Sequence, residues 1–394
     1  MSTLKVDAIR HNSATSDAIT TAADGTCTAR ITGMTGGGGL SHRNIFINGA
    51  MTVAQRGVIS TSQDYQTVDR MKSVCSNNDE VATQSQSDVA SGTTPYTLGF
   101  RKAFKLQNGN QTSGANADDV VRMQSRLEAQ DIANSGWNYK SSSSYITLSF
   151  WCKSSVAQNF YIQLVSYDGS VQSYTFETGS LTADTWTKVT HSIPGNSNLQ
   201  FDNDNGLGLD IYWIQYYGTD NTSSSHSLNS WAAYASGSKS PDMTTTWYTT
   251  NDATWELTGV QLEVGNTATS FEHRSYATEY DLCRRYYERW YGGSSFHSFL
   301  IGMAYQTTQG FGPFNFYPKR TAPTLEYSNL SHFDRLKSAS SSVSSAVTNL
   351  KIDNTAPTFN SGYLYWNHDS MTEGQAIMFR ITSTSGWIAL SAEL

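Results

Sequence analysis

YITLSFWC, residues 145–152, places Ile146, Leu148, Phe150 and Cys152 at every second position. Side chains of an extended chain point alternately to opposite faces, so these four share one side of a strand. FYIQL repeats the pattern with Phe160, Ile162 and Leu164, and GLGLDIYWIQYY does so with Leu207, Leu209, Ile211 and Trp213. YDGS at 167–170 reads as a two-residue hairpin turn, and WTKVTHSIPG as a further strand. Short alternating strands separated by turn residues restrict residues 41–275 to a β-sandwich, of jelly-roll type. Two polar, poorly periodic stretches, NDEVATQSQSDVASGTTPY and GTDNTSSSHSLNSWAAYASGSKSPDMTTT, are expected as surface loops.

WELTGVQLEV adds a strand with a fault in it. Trp255 and Leu257 have one parity, Val260, Leu262 and Val264 the other, so the register slips near Gly259, where a bulge costs least. Tyr276, Tyr280, Cys283, Tyr287 and Trp290 then recur at spacings of three and four, with Ser275 placed to cap and Asp281 four residues before Arg285. The spacing predicts a connecting helix over 276–293, ended by the glycines of YGG. Beyond it, FLIGMAY, GPFNFYP, TLEYSNL, YLYWN, AIMFRI and WIALSAEL predict a second, smaller β-domain over 294–394, with Pro313, Pro318, Pro323 and Pro357 at or between strand ends. Residues 1–40 hold a hairpin turn at Asp24-Gly25 and a glycine run, Gly36 to Gly39. A segment this small needs a partner to fold, and it reads as an attachment arm on a tether. The fold class is thus mainly β: a jelly-roll sandwich joined by a short helix to a smaller β-domain, behind an N-terminal arm.

Charged residues are only 15% of the chain, and the net charge of −7 argues against a phosphate-backbone ligand, which needs concentrated Lys and Arg. No nucleic acid partner is expected. MSTLKVDAIR shows no secretion signal and IYWIQYYG is too short to span a bilayer, so cytosolic synthesis without membrane insertion is the expectation. Cys27, Cys75, Cys152 and Cys283 show no paired spacing and read as small buried hydrophobes.

NIFINGAMTVAQRG, VDR, SFWCKS, TWTKVTHSIPG, DNGLGL, LTGVQLEVGNTATSFEHRSYATEYDLCRRYYE and the closing ALSAEL, in this order, resemble phage tail-fibre and related virion appendage proteins. In these a jelly roll similar to carbohydrate-binding modules precedes a small C-terminal β-domain. STLKVDAIRHNSATSDAITTAADGTCTARIT resembles the N-terminal segments of marine phage fibres, including those of cyanophages. The resemblance implies a trimeric or otherwise repeated appendage, with a homotrimer the expected state, exposed on the virion after synthesis in the host cytoplasm. It implies docking to other virion proteins through residues 1–40 and contact with the host surface, but no particular receptor; a host-surface glycan is expected from the aromatic residues below.

Two constellations carry candidate chemistry. The outward parity of two strands is aromatic, with Tyr145 and Trp151 on one and Asp210, Tyr212 and Tyr216 on the other. Rings beside hydroxyls and a carboxylate suit sugars; a covering sheet, domain or protomer explains the same residues without a ligand. FDNDNG offers Asp202 and Asp204 in an oxygen-rich turn, read either as a calcium site or as a plain turn in which Asp and Asn cap their own backbone. No linear catalytic motif is present, so no enzyme is expected. A polysaccharide-cleaving tailspike stays open, since its paired carboxylates come from distant strands; Asp168, Asp210, Glu256 and Glu263 are its candidates. A non-adhesive capsid or tail decoration protein is the other alternative.

Overall fold

The computed structural model describes residues 6–10, 15, 17–21, 23, 27–29, 42–293, 296–337, 344–353, 360–369 and 371–394. The expected turn at Asp24-Gly25, the glycine run 36–39 and Pro357 lie outside them. At the N-terminus Ala8–Ile9, Ile19–Thr21 and Cys27–Ala29 form a small antiparallel sheet.

Two six-stranded antiparallel sheets make the jelly-roll sandwich. One runs, in spatial order, Trp231–Ala233, Gln172–Ser180, Asn159–Ser166, Leu207–Tyr217, Val120–Glu128, Lys72–Ser76. The other runs Thr187–Pro194, Tyr145–Ser154, Thr254–Val264, Lys102–Gln107, Thr83–Asp88, Ile59–Ser60. The period-two residues meet between them: Ile146, Leu148, Phe150 and Cys152 face Phe160, Ile162, Leu164, Leu209, Ile211 and Trp213 in one core. Leu207 is only half-buried, because the ladder shifts register between Leu207 and Leu209. The slip at Gly259 is present: pairing jumps between Thr258 and Gln261, and Gly259 takes φ +63°. Trp255, Leu257, Val260 and Leu262 thereby all reach the core. Cys75, Cys152 and Cys283 are free and buried.

Four expectations need correction. Thr83–Asp88, within the first supposed loop, is a paired strand. Its Gln84 is fully buried and donates to Ser62 O (2.7 Å), Asp64 O (3.0 Å) and Ser73 Oγ (2.8 Å), so amide hydrogen bonds replace apolar packing. The second supposed loop contributes the edge strand Trp231–Ala233. The turn at Asp168-Gly169 is wider than two residues, since Ser166 pairs with Gln172 and residues 167–171 make the loop. The helix is capped by Ser275 Oγ, which accepts from Thr278 N at 3.2 Å, but covers only Tyr276–Arg284. Tyr287–Tyr291 is a strand paired with Trp387–Ser391, and the glycines that follow end that strand rather than the helix. Asp281 pairs with Arg284 (3.3 Å), while Arg285 reaches across to Glu128 (2.7 Å).

The C-terminal domain is a smaller two-layer β unit. Tyr287–Tyr291, Trp387–Ser391 and Thr324–Tyr327 form one layer. The other has seven strands in the order Ser344–Ala346, Phe333–Leu336, Ala376–Ile381, His297–Gln306, Gln309–Asn315, Ser361–Asn367, Asn349–Ile352. Phe314, Phe333, Leu364, Trp366, Ile377, Phe379, Ile388 and Leu390 fill the space between. Pro313 sits inside a strand, opposite Tyr363, beyond the last residue at which the strand on its other side pairs. Arginines join the domains. Arg56 and Arg70 both bind the Glu393 carboxylate, Arg126 Nη1 donates to Leu394 O (2.8 Å), and Arg320 Nη1 donates to Asn205 O (2.8 Å) while its other nitrogens hold the Ala392 (2.7 Å) and Glu393 (2.8 Å) carbonyls of its own domain.

Candidate functional site

Asp210 and Tyr212 stand on the outer face of the Leu207–Tyr217 strand. Asp210 is fully buried. Its Oδ2 accepts from Gln124 Nε2 (2.6 Å), Tyr212 OH (3.2 Å) and Arg126 Nε (3.3 Å), and burial holds its carboxyl above the usual range against the pull of Arg126. Tyr212 hydrogen-bonds Tyr167 OH at 2.8 Å, and the Arg122 guanidinium lies 4.3 Å from its ring centre. Residues 218–246 lay Tyr234 and Met243 over Val165, Tyr212, Ile214 and Tyr217. Tyr212 is left 4% exposed. The covering reading therefore holds for this face, and Tyr167 is the ring at its rim that remains open.

The other expected members are elsewhere. Tyr216 is not outward: the ladder shifts between Ile214 and Tyr216, and its ring turns into the core to stack on Tyr248, centres 4.3 Å apart. Tyr145 and Trp151 belong to the opposite sheet, where Trp151 is half-buried in a second outer cluster with Phe100, Tyr96, Trp186 and Phe271. The five residues do not converge on one site.

Asp204 acts as a turn cap, whereas the Asp202 carboxylate bonds a neighbouring side chain. Asp202 Oδ1 accepts from Gln200 Nε2 (3.1 Å), its N–H donates to Asp168 Oδ2 (2.9 Å), and Asp204 Oδ1 accepts from Gly206 N (2.8 Å). Calcium takes six to eight oxygen ligands. Among the described residues no group of three or more His, Cys, Asp or Glu side chains is arranged to hold a metal ion. The carboxylates considered for hydrolysis are also dispersed. Glu256 pairs with Lys153 (2.8 Å), Glu263 accepts from Thr269 Oγ1 (2.6 Å), and the two lie on one strand, roughly 23 Å apart at 3.3 Å per residue. Asp210 is on the other sheet and Asp168 in the hairpin loop.

What sequence reasoning missed is the outer face of the seven-stranded sheet. Ile301, Met303 and Tyr305, then Phe311 and Pro313, then Tyr363 and Tyr365 occupy the parity opposite to the inward Ala304, Phe314, Leu364 and Trp366. Gly310 belongs to the inward set: a Cβ there would stand 2.5 Å from Ile377 Cδ1 and 2.7 Å from Trp366, so the interior is closely filled. The outward set is open, with Ile301 69%, Tyr305 53% and Tyr363 46% exposed. Phe311 is its hub, with ring centres 5.8 Å from Tyr305, 5.5 Å from Tyr363 and 5.6 Å from Tyr365. Lys351 lies 5.5 Å from the Tyr365 ring centre, and Gln309 Nε2 donates to Asn367 Oδ1 at 3.2 Å beside it. The signal was present as strands apolar on both parities, one more apolar face than a single core consumes.

Between the domains a cavity of about 550 Å³ is lined by Arg56, Tyr287, Arg289, Glu326, Trp387 and Glu393. Its aromatic faces are already taken, Tyr287 by the Arg56 guanidinium at 3.4 Å and Trp387 by Arg289 at 3.9 Å. It belongs to the junction.

No family model matches the sequence, and no curated protein is significantly similar to it. Among solved structures, the chain is similar to the enzymatically active domain of bacteriophage CBA120 tailspike protein 4 (8% identity, TM-score 0.29), over 56% of this chain and 21% of that one. It is similar to the N-terminal cellulose-binding domain of Cellulomonas fimi β-1,4-glucanase C (8% identity, TM-score 0.25), over 55% of this chain and 99% of that one. The CBM22-1–CBM22-2 tandem of Paenibacillus barcinonensis Xyn10C overlaps 87% of this chain and 92% of its own, at 9% identity and TM-score 0.26. Likeness at this level assigns neither a family nor an activity.

Proposed function

We propose that the chain is a non-enzymatic phage virion appendage, a tail fibre or receptor-binding protein, that meets a host-surface glycan with its C-terminal domain. One observation carries the reading: Tyr305, Phe311, Tyr363 and Tyr365 form a connected aromatic surface open to solvent, rimmed by amides. Sugars pack C–H faces on such rings while their hydroxyls bond nearby polar groups. The virion setting is supported by the sequence resemblance and by the order of parts, arm, sandwich and terminal domain. In this reading residues 1–40 dock to other virion proteins, and the exposure of Val6 and Ile9 is in keeping with a segment completed by a partner. Assembly as a homotrimer repeats a weak sugar surface three times, which multiplies its avidity.

The test has two parts. Antibody labelling of intact particles places the protein on an appendage; uniform labelling of the capsid supports the decoration alternative instead. Purified wild-type protein is expected to adsorb to host cells, and the Tyr305→Ala/Tyr363→Ala variant, with unchanged circular dichroism, to lose adsorption by about tenfold or more, at ~0.5–1.5 kcal/mol per ring. Wild-type adsorption by that variant overturns the assignment of the face. Release of reducing ends from the bound polysaccharide would return the tailspike alternative.

A further inference from the structure

We infer that the open face of the C-terminal sheet takes an uncharged polysaccharide chain lying across the strands, from Tyr305 over Phe311 to Tyr363 and Tyr365. This rests on the saccharide-binding reading of the same face and specifies the class of polymer.

Charge separates the polymer classes. Asp334 and Arg380 are paired on this side of the sheet, with Arg380 Nε 2.8 Å from Asp334 Oδ1. Lys351 sits against the Tyr365 ring. Asp353, two residues along the same strand direction and therefore on the same face, helps burial push the Tyr365 phenol up. Among the described residues the face thus holds Lys351, Asp353 and the Asp334–Arg380 pair, and no cluster of cations. An acidic polymer such as a polyuronate needs clustered Arg or Lys to bind. Here it meets one ammonium beside a carboxylate, on a chain of net charge −7. Charge selects against it.

The polar groups at the rim point the same way, and so does the extent of the face. Gln309 and Asn367 are bonded to each other, Asn349 is the cross-strand neighbour of Asn367, and Asn315 follows Pro313 on the outward parity. Amides both donate and accept, as neutral hydroxyls require. The strands that carry Tyr305, Phe311, Tyr363 with Tyr365, and Lys351 are consecutive neighbours, so the surface spans three inter-strand spacings, roughly 14 Å at about 4.8 Å each. It is open rather than a pit, which suits a stretch of chain over a single terminal sugar.

Affinity electrophoresis of the full chain tests this. One set of gels carries galactomannan, mixed-linkage β-glucan or dextran, the other alginate or polygalacturonate, each at low and high salt. The expected result is retardation by at least one uncharged polymer, insensitive to salt and reduced about three- to tenfold by Tyr363→Ala or Tyr305→Ala. Retardation by the acidic polymers alone, weakened by salt and by Lys351→Ala, overturns the uncharged class and leaves saccharide binding standing. Mobility identical to a no-polymer gel throughout, for wild type and variants alike, removes both. Light scattering on the same samples checks the competing occupant: a mass that falls in the tyrosine variants means that a second copy covers this face, and overturns the proposal.

Discussion

Glu393 shows how much of the two-domain arrangement hangs on single residues. Its carboxylate is 8% exposed and binds two guanidiniums, of which Arg56 lies 3.4 Å from the Tyr287 ring centre and Arg70 3.5 Å from that of Tyr286. Removing the carboxylate leaves two buried cations without their countercharge, an effect worth about 3–5 kcal/mol where a buried pair is broken. Glu393→Ala is therefore expected to lower stability by that amount in urea unfolding and to open the junction to proteolysis. Glu393→Gln, which keeps the hydrogen-bond acceptor, should cost less. Equal stability of Glu393→Ala and wild type would show that the junction is held by apolar contact alone. Asp210 follows the same logic on the sandwich: fully buried, bonded to Gln124, Tyr212 and Arg126, it orders the sheet's outer face and is out of reach of a ligand.

At the scale of elements, Gly259 is the point where the Thr254–Val264 strand changes parity. Its φ of +63° is strained for any residue with a Cβ, and a Cβ there would sit 2.7 Å from Phe100 Cζ and 3.1 Å from Trp151 Cδ1. Gly259→Ala should destabilise the sandwich by about 2–4 kcal/mol, the sum of a left-handed backbone and overpacking, read as a lower urea midpoint with unchanged slope. An unshifted midpoint would mean that the bulge relaxes freely. This bulge was legible in the sequence because Trp255 and Leu257 disagree in parity with Val260 and Leu262, and only a slip reconciles them. The core strands were legible for the same reason. Thr83–Asp88 was not, since its inward Gln84 is held by hydrogen bonds and carries no apolar mark. The helix ran too far because Tyr287 and Trp290 fit a helical spacing, while pairing with Trp387–Ser391, a non-local event, made them strand. The outward parity of Asp210 and Tyr212 was read correctly, but not that residues 218–246 fold back over it.

For the whole molecule, the open surfaces and the closed ones divide between the domains. The sandwich covers its outer aromatic clusters with its own loops, whereas the C-terminal sheet leaves Ile301, Met303, Tyr305 and Tyr363 in solvent. A soluble chain rarely keeps so apolar a face without a use. In the proposed function adhesion falls to that sheet, and the sandwich supports it across the junction held by Arg56, Arg70 and Arg126. Carbene footprinting of the full-length protein, with and without saturating host-surface polysaccharide, tests that division directly. Protection is expected at Tyr305, Phe311, Tyr363 and Tyr365 with labelling of Tyr167 unchanged; protection confined to Tyr167 and Tyr234, with the C-terminal sheet labelled as before, contradicts the assignment.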